Sequence, residues 1–181
     1  MHRIYNAALP ASSTETPHGA IPRLAIRPLV PSDEPEMFRF LERLEPRARF
    51  DRFGCEMDDA ALESHARACL ATSPAVFGAL LDGSLAGIAE ITRFTPDNSA
   101  ILAFAVDANW RRQGIGCRLL LAALEWADRQ AMTSVQLQCT RTNWAVRQIA
   151  RKANARIDLA AGKFLAEFDA RPEASFALIA R

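Results

Sequence analysis

Hydrophobic and polar positions follow two rhythms along this chain, and the switches between them mark out its elements. Leu24-Ala25-Ile26-Arg27-Pro28 predicts a short first strand closed by proline. Asp33 and Glu36 have the spacing of a capping box, and Met37, Phe40, Leu41 and Leu44 then recur at helical intervals. Pro46 is expected to end that helix, which makes 47–54 a connecting loop. A second helix is expected from Asp59, with Leu62, Ala66, Cys69 and Leu70 inward. Val76–Leu81 and Leu85–Phe94 flank the turn Asp82-Gly83-Ser84, a hairpin pattern. A turn at Pro96-Asp97-Asn98 leads to a strand over Ile101–Val106. Helical spacing returns between Gly114 and Gln130 through Leu120, Ala123, Leu124 and Ala127. Val135, Leu137 and Cys139 alternate with Gln136 and Gln138 as in a strand, and Val146, Ile149, Ala150 and Ala153 form one more helix face. Short strands at Ile157–Leu159 and Phe164–Phe168 around Gly162 finish the pattern. Strands mixed with helices in this order predict an α/β or α+β domain with a partly antiparallel sheet. No internal repeat is visible.

The 181 residues suit one domain, expected over 21–170, with an Ala/Ser/Thr/Pro-rich flexible tail at 1–20 and a second tail at 171–181. Half of the residues are hydrophobic and 24% are charged, and the formal net charge of +1 points to neither a nucleic-acid nor a membrane partner. The cysteines, Cys55, Cys69, Cys117 and Cys139, contain no C-x-x-C pair and accompany only three histidines, so no metal site is expected and all four read as buried, reduced thiols. Residues 1–20 lack the apolar run of a secretory signal or anchor, and a cytoplasmic location is the expectation.

The chemistry concentrates in Val106-Asp107-Ala108-Asn109-Trp110-Arg111-Arg112-Gln113-Gly114-Ile115-Gly116-Cys117-Arg118, between a strand and a helix. A helix start offers free amide N–H groups and a partial positive charge, and glycines let an anion approach the backbone. Arg111, Arg112 and Arg118 add charge, so the segment is built to cradle a pyrophosphate. No Lys-Ser or Lys-Thr follows the glycines, and Leu119 stands where a dinucleotide fingerprint has its third glycine.

Arg111-Arg112-Gln113-Gly114-Ile115-Gly116 resembles the [Q/R]-x-x-G-x-[G/A] signature of the GNAT superfamily, and the resemblance extends from about Leu24 to Phe168. It implies that family's fold, a mixed, mostly antiparallel sheet flanked by helices, and acetyl-CoA as co-substrate. It also implies that the pantetheine arm lies along Phe104, Ala105 and Val106. The phosphates would meet Arg111, Arg112, Gln113, Gly114, Ile115, Gly116, Cys117 and Arg118, and Asn143 would hold the arm from the other side while serving as a helix N-cap. Leu44–Phe53 is similar to the "LSPxSRYxRF" run, and Asn143–Ala150 to the "NxxMxxLA" run, of the protein-lysine acetyltransferase branch.

The resemblance implies transfer of an acetyl group to a primary amine, on a small molecule or a protein lysine, by direct attack on the thioester. A homodimer would be in keeping with the family. Two of its usual catalytic groups are missing: Ala150 stands where many members have a tyrosine acid, and Ile101 where the lysine-modifying branch has a glutamate. The one tyrosine, Tyr5, is in the N-terminal segment. Glu90 is the candidate catalytic base, on a strand expected beside Ile101–Val106, flanked by apolar residues that would raise its pKa. His65 is a second candidate with a structural role as its simpler explanation. The competing function is a non-catalytic acyl-CoA-binding module.

Overall fold

The computed structural model describes residues 23–94, 98–159 and 163–170. The expected tails at 1–20 and 171–181, Tyr5, Pro96, Asp97 and Gly162 lie outside the described residues. In chain order the described elements are β1 (Leu24–Pro28), α1 (Glu34–Arg43), α2 (Pro46–Phe53), α3 (Asp59–Thr72), β2 (Ala75–Leu81), β3 (Ser84–Phe94), β4 (Ser99–Val106), α4 (Ile115–Arg129), β5 (Ser134–Thr140), α5 (Trp144–Lys152), β6 (Arg156–Asp158) and β7 (Lys163–Asp169). The strands form one sheet in the order β1-β2-β3-β4-β5-β7-β6. Every neighbouring pair is antiparallel except β4–β5. This is the mixed, mostly antiparallel sheet flanked by helices that the resemblance implies, and it fits the α/β or α+β domain that the pattern predicts.

Each face of the sheet carries its own core. Met37, Phe40 and Leu41 of α1 and Leu62, Ala66 and Cys69 of α3 pack with Val76, Leu85 and Ile88 on one face. Leu119, Leu120, Ala123, Leu124 and Ala127 of α4 pack with Ala89, Ile91, Leu102, Val135 and Leu137 on the other. Burial on both faces explains why β2 and β3 read as nearly continuous apolar runs rather than clean alternation. The hairpin between them turns through Asp82 (φ 47°) and Gly83 (φ 88°), both left-handed, the geometry that matches strand twist. No helix among the described residues is long and apolar enough to cross a membrane.

Two sequence expectations fail here for identifiable reasons. Residues 47–54 are not a loop: Pro46 opens α2 at a position where its missing N–H costs no hydrogen bond, and left-handed Gly54 (φ 75°) closes it with its N–H on the Phe50 carbonyl at 2.7 Å. Asp33 does not cap α1 with Glu36. Its carboxylate accepts from the Val30 N–H at 2.8 Å and takes two 2.8 Å bonds from Arg27. The Arg27 guanidinium holds that carboxyl at a pKa of about 2.

The feature that positions the site is where the sheet divides. β4 and β5 are joined at Ala100↔Val135, Ile101↔Gln136 and Leu102↔Leu137 only. Beyond that β4 stays on β3 as far as Val106, while β5 stays on β7 as far as Thr140. The two half-sheets therefore diverge and leave a wedge between them.

Asp58 caps α3 by accepting from the Ala61 N–H at 2.8 Å. Asp58→Ala is expected to lower stability by about 1 kcal/mol, read as a smaller urea midpoint at unchanged slope.

Candidate active site

The wedge opens into a cavity of about 260 Å³. Its walls are Ala103–Val106 of β4, Leu137–Cys139 of β5, Asn143, Val146 and Ile149 of α5, Arg111, Arg112 and Gly116 of the glycine loop, and Ala48, Asp51 and Arg52 of α2. It thus joins a loop with helix-start amides to a helix carrying charged side chains.

Local hydrogen bonds set the loop. Asp107, 9% exposed, anchors it through its own N–H on the Ala86 carbonyl at 2.9 Å and accepts from the Asn109 N–H at 2.9 Å. Arg112 (φ 64°) and Gly114 (φ 79°) are left-handed, which turns the chain into α4. Gly114 is the N-cap of α4 and offers no side-chain acceptor, so the first-turn amides keep their donor capacity. A Cβ on Gly116 would stand 2.8 Å from Ile149 Cδ1, so glycine lets α5 close on the loop. Asn143 does two jobs: its Oδ1 accepts from the Val146 N–H at 3.2 Å, capping α5, and it lines the cavity.

Of the residues assigned to the cofactor by sequence, Phe104, Ala105, Val106, Arg111, Arg112, Ile115, Gly116 and Asn143 line the cavity. Gln113, Gly114, Cys117 and Arg118 belong to the same loop and helix start without lining it. Arg111 reaches across to Glu45 at 3.0 Å and donates from Nε to the Val106 carbonyl at 3.2 Å. Trp110 packs partly buried beside the loop.

Glu90 differs from its expectation. It sits opposite Ala103 on the face that carries α1–α3, but it is not among the cavity-lining residues. Its carboxylate pairs with Arg52, accepts from the Ser73 hydroxyl at 3.0 Å and stands 3.5 Å from His65 Nε2. Burial alone would raise its pKa as predicted from its apolar neighbours, yet His65 and the Arg52 guanidinium outweigh burial and hold it at about 2. A carboxylate so paired is a poor proton acceptor and a good anchor for Arg52. His65 packs edge-on to Phe53 with ring centroids 5.0 Å apart.

The cysteine reading also needs correction. Cys69 and Cys139 are buried, but Cys117 is half-buried and Cys55 exposed; all four are free. No metal site is legible in the sequence, whereas the fold brings potential ligand atoms of His65, Cys69 and Glu90 within 4.8 Å of one another. Arg52 already supplies the cation at this cluster, and burial together with Glu90 pushes the Cys69 thiol up to about 12, so these groups do not fit a metal as they stand.

Asp51 and Arg52 also line the cavity; taken as part of a loop of mixed charge they indicate no acceptor preference, and what that expectation lacks is the helix that places them there. Their signal was present: Ala48, Asp51 and Arg52 stand at i, i+3 and i+4, one face of a helix. Asp51 lies 3.3 Å from Arg47 Nη2 and 3.5 Å from the Thr140 hydroxyl.

The family model for the acetyltransferase (GNAT) family matches residues 37–154. Solved structures share the fold. An acetyltransferase of the GNAT family from Streptococcus pneumoniae is 21% identical with TM-score 0.62, covering 80% of this chain and 98% of that one. The GNAT domain of S. lividans PAT is 16% identical with TM-score 0.69, covering 80% and 89%. A PaiA N-acetyltransferase from Thermoplasma acidophilum, solved in complex with coenzyme A, is 18% identical with TM-score 0.61, covering 81% and 99%. None of the curated proteins matches the chain in sequence.

The Glu90 pairing has a pH signature. Its pKa in the fold is below the ordinary 4.5, so the folded state binds fewer protons than the unfolded chain through this window. The stabilisation is present above that ordinary value and is lost as pH falls towards about 2. Urea unfolding between pH 5 and pH 2 is expected to show a steeper loss of stability in the wild type than in Glu90→Gln.

Proposed function

The chain belongs to the acetyltransferase (GNAT) family, whose members take their acyl group from acetyl-CoA, and we propose that it is an N-acetyltransferase acting on a primary amine. The amine is carried by a small molecule or a protein lysine. The observation that carries this reading is the wedge between β4 and β5, continuous from the glycine loop to α2.

The residues present fit the coenzyme. Loop amides at Ile115, Gly116 and Cys117 would hold the pyrophosphate with Arg111, Arg112, Gln113 and Arg118, where the helix start favours negative charge. Among the described residues, no strand pairs with the β5-facing edge of Phe104–Val106, which would pair with the amide-bearing arm, with Asn143 opposite. The bound coenzyme supplies an acyl group activated as a thioester. In the net reaction the amine nitrogen forms the amide as the C–S bond breaks, giving free coenzyme thiol and one proton per protonated amine consumed. An alkyl amine with pKa near 10.4 arrives protonated at pH 7, so the protein must select it as a cation and let it lose a proton before attack.

Neither familiar catalytic position contributes an acid or base. Ala150 is 1% exposed inside the core, and Ile101 lies on the joined part of β4, opposite Gln136 of β5, and does not line the cavity. With Glu90 tied to Arg52, rate enhancement rests on holding the two reactants together in the wedge, which can by itself remove several kcal/mol of barrier. The same withdrawal of Glu90 favours a second reading, an acyl-CoA-binding module without turnover. Tight acetyl-CoA binding with no thiol release on any amine would select that alternative.

Gly114→Val forces a branched side chain into a left-handed conformation, and Gly116→Val meets Ile149. Each is expected to weaken CoA binding about 100-fold or more in a protein whose circular dichroism is unchanged. CoA binding at wild-type strength in the folded variants would refute the assignment. Glu45 competes with phosphate for Arg111 through an exposed pair, so Glu45→Gln is expected to tighten CoA binding up to about fivefold, with the gain shrinking in high salt. Calorimetric titration at two ionic strengths checks it.

A further inference from the structure

Charged side chains from two elements line the cavity, and their partners separate them by role. The glycine loop contributes Arg111 and Arg112. α2 and the residue before it contribute Glu45, Arg47, Asp51 and Arg52. Arg52 is neutralised by Glu90 in a sheltered pair, and Glu45 is engaged by Arg111. Asp51 is different. Its side chain is only 18% exposed, yet its ion-pair partner Arg47 is 65% exposed and also donates to the Thr142 hydroxyl at 3.1 Å. A solvated arginine with an alternative acceptor is displaced at little cost. Asp51 is therefore the sheltered carboxylate at the cavity whose cation is exchangeable.

Its position suits a reacting amine. Thr140, whose hydroxyl stands 3.5 Å from Asp51 Oδ1, is on the stretch of β5 that has left β4. The Cys139 thiol beside it is pushed up to about 11, first by burial and then by the negative charge of Asp51, so that charge acts on the divided edge of β5. Ala48, Ala103, Leu137 and Cys139 also line the cavity, and these apolar walls accommodate a methylene arm.

We propose that Asp51 is the acceptor-recognition residue, binding the ammonium of an amine on an aliphatic arm in the place now taken by Arg47. The proposal rests on the acyl-transfer reading and adds the acceptor's class: an alkyl ammonium, selected for its charge.

The test uses cadaverine, an alkyl diamine cationic at pH 7, and aniline, which is neutral there. Thiol release with acetyl-CoA gives kcat/KM for each, and calorimetry gives the Kd of cadaverine for the CoA-loaded protein. The CoA affinity of each variant reports its fold. Asp51→Asn is expected to lower the preference for cadaverine over aniline about tenfold, mostly through KM, and to weaken cadaverine binding by a similar factor. Asp51→Glu is expected to recover part of both. An unchanged preference, proportional losses on both amines, or no binding of cadaverine to the CoA-loaded wild type would each overturn the proposal. Wild-type protein that fails to bind CoA would instead remove the acyltransfer reading, a different and separately visible failure.

Discussion

The rest of this structure depends on how little joins β4 to β5. Three residue pairs of a parallel ladder link two half-sheets that are otherwise complete. β4 is committed to β3 through eight registered pairs, and β5 to β7 through seven. Each strand is thus held straight by its other neighbour, and the pair separates where the cross-links stop. A fully zipped sheet would satisfy the same backbone groups with each other and leave no binding edge. The division converts main-chain hydrogen-bonding capacity into a recognition surface.

Everything around the wedge serves to line it. The β4–α4–β5 crossover places a helix start at its mouth, and Gly116 lets Ile149 of α5 approach that start closely. α2 also lines it, and its face of Ala48, Asp51 and Arg52 supplies charge there. The buried pair between Arg52 and Glu90 ties α2 to β3, while Phe53 and His65 tie it to α3. Such a sheltered pair contributes little net stability against an apolar alternative, but breaking one partner leaves a buried charge exposed to no solvent. Its use here is positional.

Charge is also arranged so that the cavity is not empty of interactions before ligand arrives. Arg111 rests on Glu45 and on the Val106 carbonyl, and Arg47 rests on Asp51. Both arginines are substantially exposed, so both contacts are weak and exchangeable. The sheltered groups, Asp51 and Arg52, stay in place.

Local physics wrote much of this protein into its sequence. Helical and strand periodicity marked the cores of α1, α3, α4, α5 and the strands, because burial of one face imposes that spacing wherever the element is found. The glycine loop was legible because a helix start that must admit an anion needs small residues and leaves a contiguous trace. Asn143 was readable for another local reason, since a helix N-cap calls for a short polar acceptor. What the sequence did not decide is which distant groups meet. Pro46 was read as a stop, and only packing against β4 and β5 shows it starting a helix. Glu90 was read from its apolar neighbours in the chain, which argue for a raised pKa. Arg52, 38 positions away, and His65 reverse that argument once the fold brings them to it. Electrostatic environment is a sum over space, and sequence spacing carries it only within one turn or one hairpin.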